Sequence, residues 1–206
     1  MYFEYGNEEI EYLKNKDKKL CEIIDKFGYI KHEVDEDLFS SIVFLIIGQQ
    51  ISTKAQNAVW KRLKDNLKCV TVDSVMNAGI DFLRSCGISE RKCKYITDCA
   101  NQIKSGEFDL QLIKEKNDED AIKELTKLKG IGVWTAETLL LFSLMRKNIF
   151  SYDDIGLQRG LRRVYHHKKI TKKLFEKYRK RFSPYCSVAS IYLWAAADSQ
   201  DINKRQ

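Results

Sequence analysis

The chain has 206 residues, of which 44% are hydrophobic and 32% charged, a balance typical of a folded globular protein rather than a disordered one. No apolar run reaches the roughly 20 residues that a membrane helix needs, and the N-terminus lacks the layout of a secretion signal. We therefore expect a cytoplasmic protein with no membrane partner. The net charge of +7 favours a polyanionic partner such as nucleic acid, although charge alone does not establish one.

Cysteine usage indicates neither a disulfide framework nor a metal site built from cysteines. Six cysteines stand at positions 21, 69, 86, 93, 99 and 186. None belongs to a CxxC pair, and their spacing matches no zinc or iron–sulfur motif. The sequence therefore predicts reduced and mostly buried thiols.

Apolar residues recur at helical spacing along most of the chain, which predicts an all-α fold. Residues 10–27 read as a pair of helices or one broken helix, and residues 39–47 as a helix that is apolar on all sides and hence buried. Further helices are expected at 55–67, 91–103 and 155–165. The charged stretch 114–120 indicates a solvated loop, a helix start and a crossing between lobes, and residues 201–206 are expected to fray.

A glycine-containing turn separates two helical patterns between Leu125 and Ala136. Gly130 and Gly132 flank one apolar residue, and glycine leaves backbone N–H groups accessible at the start of the following helix. Such a turn can hold a phosphate without reading the base sequence. An ordinary turn with glycine caps is the alternative, and the two glycines alone favour it.

A pair of aspartates, Asp153 and Asp154, precedes the helix predicted at residues 155–165. Aspartate is a preferred N-cap residue, so in isolation the pair indicates a helix cap. Three further segments accompany it: Ile46–Ala55 with its Gln-Gln pair, Cys86–Lys92, and Ser187–Trp194.

Taken together, these segments resemble the 3-methyladenine DNA glycosylase II family of the helix-hairpin-helix (HhH-GPD) glycosylase superfamily. They are similar, in the family order, to its hairpin and aspartate and to its GQQ-S-KA, G-S-RK and S-A-YLW motifs. The resemblance runs from about residue 5 to 197. It implies one domain over residues 1–206, all-α, with two helical lobes and the active-site cleft between them. One lobe is expected at about 37–117, and the other at 1–36 together with 118–206.

The resemblance implies a base-excision glycosylase that flips alkylated purines of the 3-methyladenine or 7-methylguanine type out of the duplex and hydrolyses their N-glycosidic bond. Asp154 is the expected catalytic residue, because a carboxylate can stabilise the oxocarbenium-like sugar and orient water. Asp153 is expected to cap the helix or support Asp154. Trp134 stands where strand-cleaving relatives carry a lysine nucleophile, so the enzyme should be monofunctional and leave an abasic site.

The resemblance also assigns residues to the DNA contacts. Trp194 and Trp134 are expected in the base pocket, where an indole attracts a cationic base. Gln50 is the expected wedge that fills the space of the flipped base, although Gln49 and Gln50 could simply close a helix end, and both tryptophans could be core residues. The full set of expected wedge and DNA-binding residues is Gln49, Gln50, Ser52, Gly130, Gly132, Trp134 and Thr135.

No cofactor is expected to be required. The family holds a monovalent cation, Na⁺ or K⁺, through hairpin carbonyls that correspond to Thr126, Leu128 and Ile131. An iron–sulfur cluster is not expected, because Cys186 is the only cysteine after Asp154. Family members often carry arginine at position 186, so this chain departs from the family there.

The expected partner is double-stranded DNA with damaged bases, bound by a monomer. A basic run over residues 159–181 either extends the phosphate-binding surface or is an ordinary solvated helix face. Two other functions stay open: a glycosylase for oxidised or deaminated bases, and a non-catalytic helix-hairpin-helix module that binds DNA. Asp154 and Trp194 argue against the second, because binding alone requires neither.

Overall fold

A computed structural model describes residues 1–199, and within that range it contains twelve helices and no β-strand beyond an isolated bridge between Tyr2 and Glu33. The predicted all-α class is confirmed, whereas the predicted fraying of 201–206 lies outside the described residues. In chain order the helices are α1 (Asn7–Lys16), α2 (Lys18–Phe27), α3 (Leu38–Gly48), α4 (Thr53–Leu67), α5 (Val72–Ser85), α6 (Glu90–Ser105), α7 (Leu110–Glu115), α8 (Asp118–Leu125), α9 (Val133–Phe142), α10 (Ile155–Tyr165), α11 (Lys172–Phe182) and α12 (Cys186–Asp198).

Helix boundaries follow the capping residues closely. α10 begins and ends at the residues predicted from the sequence. The N-terminal segment is two helices rather than one broken helix, because the Asp17 side chain accepts the Leu20 N–H and caps α2. Ser52 caps α4 in the same way, by accepting the Ala55 N–H at 3.2 Å.

The helix predicted to be buried on all sides is α3. Asp37 caps its start by accepting the Ser40 N–H at 2.9 Å. Side chains on every face are buried, and Ile42, Val43 and Ile46 have no exposed surface. The prediction of a buried helix is therefore confirmed. Such a helix lies inside a core, so only its ends are available for function.

The chain divides into two compact units. We call Asp35–Leu144 the hairpin unit, and Met1–Val34 together with the chain from Met145 onward the Asp154 unit. The first boundary lies close to the predicted one, but the second lies at 144/145 rather than 117/118. The reason is packing: α8 contacts α7 and α9, and α9 contacts α3, so the hairpin helices share the core of the unit that contains α3.

Helix α12 is the centre of the Asp154 unit. Most of its residues are buried, from Cys186 to Ala197, and it packs against α1, α2, α10 and α11.

All six cysteines, which lie within the described residues, are free; four are buried, as predicted, while Cys69 is exposed and Cys21 half-buried. Among residues 1–199, no helix combines the length and apolarity needed to cross a bilayer.

Candidate active site

The carboxylate of Asp154 is fixed at the start of α10. Asp154 is the N-cap residue, with φ −77° and ψ 108°, and its Oδ1 accepts the Leu157 N–H at 2.6 Å. The side chain is half-buried. Asp154 can therefore be both the N-cap and the catalytic residue. The cap hydrogen bond holds the carboxylate in one orientation beside the positive end of the helix dipole.

Trp194 holds the same carboxylate oxygen from a second helix. Its indole Nε1–H donates to Asp154 Oδ1 at 3.2 Å, and the ring is half-buried on α12. A hydrogen bond to a charged acceptor is stronger than a neutral one. Sequence reasoning selected both residues separately, and the structure brings them into direct contact within the Asp154 unit.

Two glycines of α10 allow this contact. A Cβ on Gly160 would lie 2.2 Å from the Leu193 carbonyl oxygen, so only glycine permits α10 and α12 to approach this closely. A Cβ on Gly156 would lie 3.1 Å from both Asp154 Oδ1 and Trp194 Cδ1. No role was predicted for either glycine, although their spacing of four places them on one helix face.

His32 is a further ring beside Trp194 that sequence reasoning missed. The two ring centroids are 6.2 Å apart, and the ring planes are tilted by 31°. Burial lowers the pKa of the His32 imidazole, although the nearby Glu33 carboxylate opposes the shift. The ring is therefore neutral at pH 7 and adds no positive charge next to the indole.

Asp153 does not cap α10. Its neighbour Asp154 occupies the N-cap position, from which the side chain reaches the amide three residues later, and Asp153 is exposed. The predicted capping role of Asp153 is therefore wrong, and its supporting role stays a prediction.

The predicted hairpin is formed by α8, a turn and α9, whose helices contact each other. Gly130 has φ +87°, and a Cβ there would lie 2.5 Å from the Tyr95 ring, so glycine is required on two grounds. Gly132 is the N-cap of α9, and no atom lies within 4 Å of a Cβ placed on it. With Trp134 39% exposed in the first turn, the start of α9 is an accessible surface.

The DNA-binding role predicted for Thr135 could involve only its main chain. Its side chain is buried, although it stands next to the exposed Trp134. Successive residues of a helix point about 100° apart, so neighbouring positions can face the core and the solvent. Contact between the Thr135 side chain and DNA is therefore not supported.

The Gln-Gln turn after α3 has two distinct parts. Gln49 points inward, and its Nε2 donates to the Gly130 carbonyl at 2.7 Å, which ties the turn to the hairpin within the hairpin unit. Gln50 is exposed, with φ +58°, and its Oε1 accepts from Arg91 Nη2 at 3.4 Å. The structure therefore separates an anchoring glutamine from an exposed one, a distinction that the sequence did not make.

Lys92 is another residue for which the sequence predicted no role. Its Nζ donates to the carbonyls of Ile47 at 2.8 Å and Gln49 at 2.6 Å, at the end of α3. The side chain is only 7% exposed, and burial lowers the pKa of its ammonium group. The G-S-RK motif contained this lysine, but its partners lie more than 40 residues away in the sequence.

Several side chains of the basic run 159–181 have partners inside the Asp154 unit. Arg159 pairs with Asp198 and Arg179 with Glu176. Arg163 donates to the Ala197 carbonyl at 3.0 Å, and Arg181 pairs with the buried Asp17. Because these arginines have partners within the protein, this part of the run agrees with the interpretation as an ordinary helix face rather than a phosphate-binding surface.

The chain is similar to known proteins over most of its length. Residues 43–184 match the family described as HhH-GPD superfamily base excision DNA repair protein. The chain is 28% identical over 192 residues to DNA-3-methyladenine glycosylase 1 of Schizosaccharomyces pombe, covering 91% of this chain and 84% of the relative.

Solved structures are similar over nearly the whole chain. A DNA-3-methyladenine glycosidase from Bacillus halodurans has a TM-score of 0.83 and 32% identity, covering 97% of this chain and 93% of that one. The S. pombe 3-methyladenine DNA glycosylase Mag1, in complex with abasic DNA, has a TM-score of 0.81 and 26% identity, covering 91% and 95%.

Proposed function

The chain belongs to the HhH-GPD superfamily of base excision DNA repair proteins, and we propose that it is a monofunctional glycosylase that removes alkylated purines from DNA. The observation that carries this proposal is the Asp154 carboxylate, held by the Leu157 amide and the Trp194 indole. A module that only binds DNA needs no carboxylate fixed in this way. The names of the relatives support the class of substrate, 3-methyladenine-type bases.

The enzyme needs to do little to activate the alkylated base as a leaving group. A purine methylated at N3 or N7 carries positive charge, so its bond to deoxyribose is already weakened and the base leaves without added protonation. The sugar becomes cationic as the bond breaks, and a fixed carboxylate stabilises that charge in the transition state. We assign this role to Asp154, which also orients the water that attacks the sugar.

The preference for cationic bases follows from the rings near the carboxylate. An indole face attracts a cation, and the neutral imidazole of His32 beside Trp194 does not oppose it. Such a surface accepts several alkylated bases without a strict pattern of hydrogen bonds. We assign Trp194 to the base pocket. For Trp134, which is exposed on α9 of the hairpin unit, a role toward the flipped base is proposed from the family resemblance alone.

The absence of a suitable lysine predicts hydrolysis without strand cleavage. Helix α9 contains tryptophan at position 134 and no lysine along its length. An indole cannot form a Schiff base with the sugar, so the expected product is an abasic site in an intact strand.

Duplex DNA is the proposed partner, bound through the hairpin and the Gln-Gln turn. The complex of the S. pombe relative with abasic DNA supports this assignment. Backbone amides at the start of α9 are suited to a phosphate, Gln50 is exposed as a wedge requires, and the exposed Ser52 lies beside it. A monomeric state and a cytoplasmic location complete the proposal.

A monovalent cation in the hairpin would add a positive charge near that phosphate. The candidate ligands are the neutral carbonyls of Thr126, Leu128 and Ile131, which suit Na⁺ or K⁺ better than a transition metal. They belong to one turn of six residues, in which the Leu128 carbonyl accepts the Ile131 N–H at 3.1 Å and keeps a second lone pair. Replacing K⁺ by a bulky organic cation at constant ionic strength should weaken DNA binding.

The proposal is tested by incubating the protein with a duplex that contains a single 7-methylguanine, and with the same duplex undamaged. Released base is measured by chromatography, and strand breaks are measured with and without alkali. We expect base release from the damaged duplex, breaks only after alkali, and no adduct trapped by borohydride. No release from any alkylated duplex would refute the proposed activity, while breaks without alkali would refute only the monofunctional assignment.

A further inference from the structure

We propose that Lys92 is a positioning residue for base flipping: its buried ammonium group fixes the Gln-Gln turn so that Gln50 is held ready to enter the duplex. This inference rests on the proposed function, because it concerns the step in which a damaged base leaves the stack. Lys92 itself is not expected to contact DNA.

The two hydrogen bonds of Lys92 connect the last turn of α3 to the turn that follows the helix. One acceptor, the Ile47 carbonyl, belongs to the helix, and the other, the Gln49 carbonyl, belongs to the residue immediately before Gln50. Carbonyls at the end of a helix have no intrahelical partners and carry partial negative charge, so a cation is well placed there. Lys92 therefore joins the end of α3 and the turn through one group.

The turn needs such support because its own hydrogen bonds are long. The Gln49 N–H reaches the Ile46 carbonyl at 3.3 Å, and the Ile51 N–H reaches the Gly48 carbonyl at 3.4 Å. Between them Gln50 has φ +58°, a left-handed conformation that is costly for a residue with a side chain. The contacts at 2.6 and 2.8 Å from Lys92 are the short ones at this place.

Lys92 occupies an unfavourable position for a lysine, which argues that its contacts matter. It stands in the first turn of α6, where the helix dipole disfavours a positive charge, and its side chain is almost fully buried. By contrast, Lys94 of the same helix is exposed and pairs with Glu90 at 2.9 Å. A solvated lysine at position 92 would avoid these costs but could not reach the turn.

Gln49 completes the arrangement from the side of the hairpin. Its side chain donates to the Gly130 carbonyl while its own carbonyl accepts from Lys92. The residue before Gln50 is thus fixed at both its main chain and its side chain. Only the exposed Gln50 side chain is left to project from the turn, where Arg91 lies at 3.4 Å.

The test is a double-mutant cycle between Lys92→Met and Gln50→Ala, with Lys94→Met as the matched control on the same helix. Single-turnover release of 7-methylguanine from a duplex gives the rate. The fluorescence of a 2-aminopurine placed next to an uncleavable abasic analogue reports insertion into the stack. We expect Lys92→Met to slow release and reduce the fluorescence change about tenfold. Lys92→Met in the Gln50→Ala background should cost less than twofold, because the two residues act together.

The control and the alternatives have distinct outcomes. Lys94→Met should leave both readouts unchanged. Equal losses from Lys92→Met with and without Gln50 would show a merely structural role and overturn the proposal, as would wild-type behaviour of the variant. If Lys92→Met does not fold, as judged by circular dichroism, the same cycle is run with Lys92→Arg, which keeps the charge but changes the donor geometry. If the wild type releases no base, the fluorescence arm still decides the role of Lys92.

Discussion

In the Asp154 unit, the proposed catalytic carboxylate is held by an indole N–H and by an amide of its own helix. In the hairpin unit, the Gln-Gln turn and the hairpin are instead held through main-chain carbonyls, which accept hydrogen bonds from Gln49 and Lys92. The first arrangement fixes one particular side chain, and the second fixes the path of the backbone. This difference matches the two tasks, because the chemistry needs a specific functional group, whereas a phosphate is bound by any backbone amide.

The comparison predicts that substitutions in the Asp154 unit impair chemistry and leave DNA binding intact. Asp154→Asn is expected to slow base release about 10²–10³-fold, because the negative charge at the sugar is lost. Asparagine is also a good N-cap, so α10 and the fold should be retained. Single-turnover release and fluorescence anisotropy on damaged duplex measure the two effects. An equal rate in the variant would place the catalytic role elsewhere.

A glycine substitution in each unit should change the free energy of unfolding by a different amount. Gly160→Ala forces a methyl group against the Leu193 carbonyl, 2.2 Å away, and should lower the free energy of unfolding by about 1–3 kcal/mol. Gly132→Ala should leave it almost unchanged, because φ is −91° and no atom lies within 4 Å of the added carbon. Urea unfolding measures both variants. Equal stability of the two would contradict the close packing of α10 on α12.

Trp194→Phe separates the hydrogen bond from the aromatic ring. Phenylalanine keeps a stacking surface but cannot donate to Asp154, so the rate of release should fall about tenfold with little change in DNA affinity. Trp60→Phe is the control in the hairpin unit, where the Trp60 ring makes an edge contact with Phe44 and lies 5.9 Å from the Lys64 ammonium group. A similar rate for Trp194→Phe and the wild type would show that the hydrogen bond does not position the carboxylate.

The smallest expected effect concerns His32 and pH. Burial lowers its pKa in the folded protein, so the unfolded chain binds a proton more readily than the folded one. This contribution to stability is present above the ordinary histidine pKa of about 6.5 and is lost as the pH falls below it. Urea unfolding at pH 7.5 and 5.5 should therefore show a larger loss for the wild type than for His32→Gln. An identical loss in both would mean that His32 does not titrate as its burial implies.

The elements that could be predicted are those fixed by neighbouring residues. α10 was placed correctly because an aspartate precedes it and its apolar residues repeat at helical spacing. α3 was recognised as buried because apolar residues occur on all its faces. The contact between Asp154 and Trp194, by contrast, was not predicted: the family resemblance assigned each residue a separate role, and the two are 40 positions apart in the sequence.

The differences between the sequence-based expectations and the structure arise from the choice of packing partner. The hairpin helices were expected with the Asp154 unit but lie in the hairpin unit, and the Thr135 side chain faces the core, so the DNA contact predicted for Thr135 would involve its main chain. A single helical segment can bury either of two faces, and the partner that decides between them lies far away in the sequence. Asp153 differs from these cases, because two adjacent aspartates compete for one cap position and only the backbone geometry selects Asp154.

The all-α class, the helix ends set by local caps, and the order of motifs that identifies the superfamily can all be inferred from the amino-acid sequence. These depend on interactions within a few residues, or on residue identity alone. Three contacts become visible only in the folded structure: α12 packs closely against Gly160, Trp194 donates a hydrogen bond to Asp154, and Lys92 donates to the turn before Gln50. Each of these is a contact between distant segments, whose distance and direction no local pattern records.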